Sequence, residues 1–161
     1  MKTDTPVLDR SPFFEHFQPK HLDKLTALSS LVRFSKDEVI FQEEDEDTRF
    51  YVLLSGRVAL ELSYAGHPHT IEILHAGDEL GWSAVLGRKK QFRARALDPA
   101  EAWSFEVASL CEAFDANPYF ARAFLERLAD VIAQRLQNTR RQLGRSLVEA
   151  RQVATAVGAA R

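Results

Sequence analysis

A glycine-rich turn followed by a run of basic residues is the part of this sequence best suited to bind an anion. It spans residues 77–96 and reads GDELGWSAVLGRKKQFRARA. Glycines before a helical turn leave backbone N–H groups free to face an anion, and a nearby arginine can bind the same anion through two hydrogen bonds. The stretch therefore predicts an anion site, provided that the surrounding elements hold it in place.

The other residue types that support catalysis or metal binding lack the spacing that either would need. The five histidines have no cysteine or aspartate partners at zinc-site spacing. Ser83 lies two positions after Gly81, but the closing glycine of a nucleophile elbow is missing. Cys111 lies in an apolar helical context, which predicts a buried and inert thiol. The sequence predicts that the protein is not an enzyme and that it requires no metal or other cofactor.

The composition is that of one globular domain with an additional helical arm. The 161 residues are 45% apolar and 27% charged, with a formal net charge of −2. This charge favours neither nucleic acid nor an anionic membrane as a partner, and no apolar run approaches the roughly 20 residues of a membrane span. The single cysteine excludes an internal disulfide, and the first ten residues lack the apolar core of a signal peptide. We expect a cytoplasmic protein that does not associate with a membrane.

Two short helices are predicted near the start of the chain. We expect residues 1–10 to be mobile. Ser11 followed by Pro12 is typical of a helix start, and three phenylalanines then give this helix an aromatic face. Leucines three residues apart predict a second short helix over residues 20–30. Both apolar faces are expected to pack on the core of the domain.

The middle of the chain predicts seven or eight short β-strands. Apolar residues occupy alternate positions in short runs between Leu31 and Phe105, and turn signals such as Ser55-Gly56 separate the runs. The acidic run at residues 43–47 cannot be buried together and predicts a solvated loop. Short strands with regular turns are typical of a β-barrel or a β-sandwich.

The final third predicts one long helix with an apolar seam along one side. Residues 107–116 form a short helical segment first, and Asn117 followed by Pro118 then restarts the helix. Apolar and small residues recur at spacings of four and three, which is typical of a seam between two helices. The candidate dimer-interface residues are Leu125, Ala129, Ile132, Leu136, Thr139 and Leu143. A homodimer is the preferred interpretation, and the alternative is that the helix folds wholly onto its own domain.

These elements in this order resemble the cyclic nucleotide-binding domain family over residues 13–143. FYVLLSGRV at residues 50–58 is similar to the family's strand–glycine–strand signature, and HAGD at residues 75–78 is similar to the entry of its phosphate-binding cassette. The resemblance implies a mainly β fold with flanking helices, a double-stranded β-helix (jelly-roll) barrel followed by a long C-terminal helix. The implied parts are a mobile terminus (1–10), the barrel domain with its N-terminal helices (11–116), and the dimerisation helix and tail (117–161).

The resemblance also implies a ligand site, with two departures from the family pattern. Nucleotide-binding members have a glutamate that accepts the ribose 2′-hydroxyl, and Trp82 replaces it here. The family's phosphate-binding arginine has Gln91 at its spacing; a shortened cassette gives this role to Arg88, with Lys89 and Lys90 as nearby substitutes. The candidate ligand-binding residues are Gly77, Leu80, Gly81, Trp82, Ser83, Ala84, Arg88, Lys89 and Arg93.

The sequence allows two interpretations for several of these residues. Trp82 either plugs the pocket or stacks on a planar ligand. The basic run at residues 88–90 forms either a solvated hairpin or an anion grip. Arg93 and Arg95 share one strand face, which meets either solvent and acidic neighbours or the pocket.

Three functions from different classes follow. The preferred function is a stand-alone regulatory module, a homodimer with an altered or degenerate nucleotide site that acts through protein partners. The alternative is a genuine sensor of cAMP, cGMP or cyclic di-GMP that uses Arg88 on the phosphate. The second alternative is a truncated DNA-binding transcription regulator that uses the basic residues of its last helix. Only 18 residues follow Leu143, which are too few for a helix-turn-helix unit, and Glu149 interrupts the basic helix, so direct DNA binding is disfavoured.

Overall fold

The computed structural model describes Leu8 and residues 11–159 and divides the chain into two compact units. The first unit is Met1–Ala123, and the second is Phe124–Arg161. The predicted mobile segment at residues 1–10 lies outside the described residues, except for Leu8, whose side chain is buried. Among the described residues, the first unit contains the strands, the short helices and the start of the last helix, and the second contains the remainder of that helix.

The described residues form eight strands and three α-helices. The strands are β1 (Ser29–Phe34), β2 (Val39–Phe41), β3 (Arg49–Ser55), β4 (Val58–Tyr64), β5 (His67–Leu74), β6 (Glu79–Leu80), β7 (Arg93–Ala96) and β8 (Ala100–Glu106). The α-helices are α1 (Pro19–Leu28), α2 (Val107–Ala116) and α3 (Pro118–Ala159), and short 3-10 helices lie at Pro12–Phe14 and Trp82–Leu86. The predicted strand number and the predicted helical segment at residues 107–116 are confirmed, whereas the first predicted helix is a single 3-10 turn.

The strands form two four-stranded antiparallel sheets, with the orders β1-β8-β3-β6 and β2-β7-β4-β5. Their facing side chains form one apolar core. Its buried members are Phe41, Tyr51, Leu53, Val58, Leu60, Leu74, Leu80, Ala94 and Ala102. Because successive side chains of a strand point to opposite faces, these residues occupy alternate positions. The predicted mainly β, jelly-roll fold with a long C-terminal helix is confirmed.

The N-terminal aromatic residues cover the outer face of the sheet that contains β3 and β8. The Phe13 ring lies 5.4 Å from that of Phe50, and the Phe14 ring lies 6.1 Å from that of Phe105. Phe50 and Phe105 are directly opposite each other on β3 and β8. The Ser11 hydroxyl accepts a hydrogen bond from the Phe13 N–H, which confirms the predicted helix start. The predicted packing of these phenylalanines on the core is confirmed as well.

A tight turn at Gly56 joins β3 and β4 and lies against the turn that leads into β8. Gly56 has φ of +80°, and a Cβ atom at this position would lie 2.5 Å from the carbonyl oxygen of Pro99. The next residue, Arg57, donates two hydrogen bonds to the carboxylate of Asp98. The contact therefore connects two turns that are 41 residues apart in sequence.

Cys111 is exposed on α2, so the prediction of a buried thiol is wrong. The residues of α2 that are buried are Leu110 and Ala113. Each residue of an α-helix is rotated by about 100° from the one before it. Cys111 follows the buried Leu110 directly and is therefore turned away from the packed face.

Helix α3 spans 42 residues and begins as predicted, with the side chain of Asn117 accepting hydrogen bonds from the backbone N–H groups of Tyr119 and Phe120. Within the second unit, the predicted seam residues Leu125, Leu136 and Leu143 are 42–60% exposed. The remaining predicted seam residues are Ala129 and Thr139, which are exposed, and Ile132, which is half-buried. Among the described residues, no helix is long and apolar enough to cross a membrane.

Candidate ligand-binding site

Two left-handed glycines bracket the short helix of the predicted anion-binding turn. Gly81 precedes the 3-10 helix Trp82–Leu86 with φ of +82°, and Gly87 follows it with φ of +64°. These backbone conformations favour glycine because it lacks a Cβ atom. The helix is closed by hydrogen bonds from the N–H groups of Gly87 to Ala84 O and of Arg88 to Ser83 O. The glycine-rich sequence thus fixes where the helix starts and where the basic run begins.

Gly81 is also required by a close approach of other parts of the chain. A Cβ atom at Gly81 would lie 2.7 Å from the carbonyl oxygen of Arg49 and 2.8 Å from Nζ of Lys90. At Gly87, by contrast, no atom lies within 4 Å of the position that a Cβ atom would occupy. The space beside Gly81 is therefore filled by a lysine of the protein itself.

Lys90 is fully buried at the centre of this site. Its Nζ atom donates hydrogen bonds to the carbonyl oxygens of Arg49 at 2.7 Å and of Gly81 at 3.3 Å. The same atom lies 3.3 Å from a carboxylate oxygen of Asp47 and 4.7 Å from the centre of the Phe41 ring. Carbonyl oxygens, a carboxylate and an aromatic face are all favourable partners for an ammonium ion. The arrangement stabilises a buried positive charge.

Asp47 connects the ammonium group to Tyr51. The hydroxyl of Tyr51 donates to the same carboxylate oxygen of Asp47 at 3.5 Å, and Tyr51 is buried in the core. Burial raises the pKa of Tyr51 above its usual value, and the negative charge of Asp47 raises it further. Burial lowers the pKa of Lys90, and Asp47 opposes this shift. Asp47 therefore favours the protonated form of both neighbours.

The acidic loop at residues 43–47 is attached to the basic run by its backbone as well as by its charges. The N–H of Glu44 donates to Lys90 O at 2.9 Å, and the N–H of Lys90 donates to Asp45 O at 3.0 Å. Glu46 lies 4.0 Å from Lys89 in an exposed ion pair. The predicted loop is confirmed, but it also has a partner. It supplies the carboxylates that neutralise two of the three consecutive basic residues.

A cavity of about 500 Å³ lies beside this loop, within the first unit. Cavities of this size accommodate small-molecule ligands. Three of the predicted site residues line it, Ala84, Arg88 and Lys89. The other lining residues are Glu46, Asp47, Thr48, Gly87, Glu106, Val107 and Ala108. Its lining therefore combines charges of both signs with apolar residues.

Arg88 is the basic residue of the cavity that has no carboxylate partner among the described residues, whereas Lys89 is paired with Glu46. Glu106, which also lines the cavity, accepts a hydrogen bond from Thr48 and lies 3.6 Å from Arg49. A ligand anion in this cavity would accordingly find one free guanidinium group. The rest of its charged lining consists of the paired Lys89 and of carboxylates.

The other predicted site residues lie elsewhere among the described residues. Leu80 is in the apolar core, and Gly77 lies against Pro12, since a Cβ atom on it would be 2.7 Å from Cδ of that proline. Ser83 is buried on the 3-10 helix, and Trp82 is half-buried beside it. The structure thus groups Ala84, Arg88 and Lys89 around the cavity and does not bring Gly77 or Leu80 to it.

Arg93 faces a buried carboxylate and not the core. It lies 3.2 Å from Glu61, which also accepts two hydrogen bonds from Arg95. Ala94 and Ala96 occupy the core face of the same strand. The pairing of both arginines with an acidic neighbour corresponds to one of the two interpretations of the sequence.

Sequence reasoning missed four of the residues that fill the site, namely Phe41, Asp47, Arg49 and Tyr51. It named Lys90 only as a substitute on the phosphate and not as a buried cation. The signal for Lys90 was present in the alternation of the chain. Phe92 packs against the core and Ala94 lies in it. Because side chains at every second position of a strand point to the same face, Lys90 is expected to point inward as well. No local signal identifies Asp47 as its partner, because 43 residues separate them and the acidic run alone predicts only solvation. No group of three or more histidine, cysteine or acidic residues that could hold a metal ion occurs in the described part of the chain.

A family model described as cyclic nucleotide-binding domain matches residues 31–117. A search of curated protein sequences finds no match. Solved structures with the same fold include a protein from Geobacter metallireducens, with 24% identity, a TM-score of 0.70, and coverage of 78% of this chain and 92% of that one.

Two further structures share the fold. A cyclic nucleotide-binding domain from Methylobacillus flagellatus has 17% identity and a TM-score of 0.75, with 81% of this chain and 74% of that chain covered. A global regulator from Xanthomonas campestris, described as c-di-GMP responsive, has 17% identity and a TM-score of 0.71, with 80% and 64% covered. At these identities, the likeness shows the fold.

Proposed function

The chain belongs to the cyclic nucleotide-binding domain family, and from this premise we propose that it is a regulatory module with an altered nucleotide site, which forms a homodimer and acts through a protein partner. The family consists of regulatory domains that bind cyclic nucleotides.

The observation that carries the proposal is the burial of Lys90 beside Gly81. A cyclic nucleotide places its phosphate next to the backbone of the cassette, where a cation must be available to pair with it. Here the buried cation is already held by two carbonyl oxygens and by Asp47. A phosphate would have to break that ion pair and would meet the carboxylate of Asp47, which repels it. These contacts support a site that is filled by the protein itself.

The second departure concerns the ribose. Trp82 directly follows Gly81, at the position where nucleotide-binding members are expected to have a glutamate. An indole has one N–H donor and no acceptor, so it cannot accept a hydrogen bond from a 2′-hydroxyl group. A site without that acceptor loses most of its selectivity for a ribose. Both departures weaken cyclic nucleotide binding for independent reasons.

An altered sensor is the second candidate function, and Arg88 is the observation that favours it. Arg88 is exposed on the cavity and has no carboxylate partner among the described residues. A guanidinium group in this state can bind a phosphate through two hydrogen bonds. The Xanthomonas campestris regulator with this fold responds to c-di-GMP, which adds a dinucleotide to the ligands that need testing.

We expect isothermal titration calorimetry with cAMP, cGMP and cyclic di-GMP to give no binding heat at micromolar protein concentration. The physical reason is the internal ion pair of Lys90, which a ligand phosphate would have to displace. The same titrations with Arg88→Ala, and with Lys36→Ala as an exposed control outside the cavity, accompany the wild-type measurement. Binding that is retained in Lys36→Ala and lost in Arg88→Ala would overturn the proposal in favour of the altered sensor.

The apolar seam of α3 supports the homodimer. Its leucines are exposed along the second unit, and their alternating spacings of four and three are those of two packed helices. We expect multi-angle light scattering to give twice the 18.2 kDa mass of the chain. Leu136→Glu introduces a charge into the seam, and we expect it to weaken dimerisation at least tenfold.

Gln137→Glu is the matched control for the dimer. It adds the same charge one residue further along α3, where the side chain is turned about 100° away from the seam. We expect this variant to remain dimeric. A monomeric wild-type protein, or equal weakening by both substitutions, would contradict the homodimer.

A further inference from the structure

The distal half of α3 carries an unusual set of charges. Residues 131–157 contain five arginines, no lysine and one acidic residue, Glu149. The rest of the chain up to residue 130 has the opposite balance, with 22 acidic and 15 basic residues. The near-neutral net charge of the whole protein is therefore the sum of a basic helical segment and an acidic remainder. Such asymmetry is a more specific signal than the total charge.

Helical geometry places four of these arginines on one side of α3. Arg140, Arg141, Arg145 and Arg151, which we call the arginine face, are all exposed. With 3.6 residues per turn, they lie within a sector of about 140°, and the mean direction of that sector is about 125° around the helix from the apolar seam. The positions between them are uncharged and are also exposed; they are Gln137, Gly144, Val148 and Gln152. The face extends for about 17 Å along the helix.

The arginine face has no carboxylate partners of its own. Among the described residues, Arg140, Arg145 and Arg151 make no ion pair, and Arg141 donates a hydrogen bond to the neutral side chain of Asn138. Glu149 lies at the border of the face, one turn beyond Arg145, yet no ion pair joins the two in the described structure. A solvated surface helix ordinarily mixes both charge signs, which lowers its electrostatic self-repulsion. This face does not.

We propose that the arginine face binds the phosphate backbone of a nucleic acid without reading its sequence. Along about 17 Å, one strand of a nucleic acid presents about five phosphates, enough to supply a partner for each of the four guanidinium groups, and guanidinium groups bind phosphates bidentately. The absence of carboxylates on the face removes the repulsion that a polyanion would otherwise meet. The acidic first unit limits non-specific attachment of the rest of the protein. This binding requires no helix-turn-helix unit.

The geometry argues against an anionic membrane as the partner. An amphipathic helix lies on a membrane with its apolar side in the lipid and its basic residues close to the boundary. In α3, Arg140 and Arg151 lie about 60–80° from the seam, but Arg141 and Arg145 are about 160° from it. Half of the arginine face would therefore point away from the headgroups when the seam faces lipid. A second copy of the chain on the seam, by contrast, leaves the arginine face of each helix open. The nucleic-acid proposal holds for a monomer and for a dimer.

Fluorescence anisotropy with labelled duplex DNA and with single-stranded RNA of the same length tests the proposal on the full-length protein. We expect binding to both at about 50 mM salt and a loss of affinity on raising the salt to about 200 mM, with a log–log slope near −3 to −4 for four phosphate contacts. If only the DNA or only the RNA binds, the result shows which type of nucleic acid the arginine face binds. Failure of both at the lower salt concentration would overturn the proposal.

Two variants with equal net charge locate the binding surface. In the first, Arg140, Arg141, Arg145 and Arg151 are replaced by glutamine, and we expect an affinity loss of roughly tenfold or more. In the second, exposed basic residues of the first unit are replaced by glutamine, namely Lys20, Lys24, Arg33 and Lys36, and we expect a change of no more than about twofold. Circular dichroism shows whether the helix content is retained.

Equal losses in the two variants would overturn the proposal, because net charge alone would then account for the binding. Binding of the wild-type protein to phosphatidylserine-containing vesicles in preference to both nucleic acids would also overturn it. These outcomes are independent of the calorimetry with cyclic nucleotides, which concerns the first unit.

Discussion

Gly56→Ala is expected to lower the free energy of unfolding by about 3–4 kcal/mol. Gly56 has φ of +80°, a conformation that alanine adopts at a cost, and a Cβ atom there would approach Pro99 O to 2.5 Å and Ala100 Cα to 2.7 Å. Backbone atoms cannot move aside as the end of a flexible side chain can. The two turns would have to separate, which would also strain the Arg57–Asp98 ion pair. Urea denaturation followed by tryptophan fluorescence measures the change.

Gly66→Ala is a closely matched control for this substitution. Gly66 also has φ of +80°, in the turn between β4 and β5, but no atom lies within 4 Å of the position that its Cβ atom would occupy. Its substitution should cost only the conformational term, about 1–2 kcal/mol. The difference between the two variants isolates the contact of the turn at Gly56 with the turn before β8. Similar costs for both would show that this contact contributes nothing beyond backbone conformation.

The strands could be predicted because their sequence pattern has a direct physical cause. Val58 and Leu60 lie on the same side of β4 and are both buried in the core, so the alternation read from the sequence was the alternation of the fold. The glycine turn before them could be read for the same reason, since its conformation excludes other residues. The exposure of Cys111 could not be read from apolar neighbours alone, because a helix buries only the residues on its packed side.

The candidate site was harder to predict because its contacts are distant in sequence. The glycine-rich turn was recognised, and the cavity does include Ala84, Arg88 and Lys89. The occupant of the space beside Gly81 was not recognised. A run of three basic residues gives no indication of which member is buried, and that choice depends on the register of the strand that follows. The carboxylate that compensates Lys90 comes from a loop that precedes it by 43 positions and otherwise has the composition of a solvated turn.

The acidic loop and the basic run therefore stabilise each other. The loop alone would repel itself, and the buried ammonium of Lys90 alone would be costly. Together they form backbone hydrogen bonds, an exposed ion pair and a buried one. In the proposed function, the paired loop and basic run occupy the position that a ligand phosphate would take. The strength of the Lys90–Asp47 pair then decides how firmly the site is closed.

Lys90→Met is expected to lower the free energy of unfolding by about 2–4 kcal/mol, although methionine is of similar size. The substitution removes the hydrogen bonds to Arg49 O and Gly81 O, and it leaves Asp47 without its positive partner. Asp47→Asn should cost less, about 1–2 kcal/mol, because the side chain of Asp47 remains 24% exposed. The double variant should be more stable than the sum of the two losses predicts, by about 1–2 kcal/mol. A strictly additive double variant would contradict a direct interaction between the two side chains.

The pH dependence of stability distinguishes this structural role from a ligand-binding role for the lysine. Burial lowers the pKa of Lys90 below the usual 10.5, so the folded state releases this proton before the unfolded state does, and stability is gained as pH rises between the two pKa values. Asp47 opposes the shift, and Asp47→Asn should therefore lower the pKa further and let the gain begin at a lower pH. Urea denaturation at about pH 7 and about pH 9.5 should show a larger gain in Asp47→Asn than in the wild type, and a smaller one in Lys90→Met. If Lys90 instead swung out to solvent to meet a phosphate, its proton would have its usual affinity, and all three proteins would respond to pH alike.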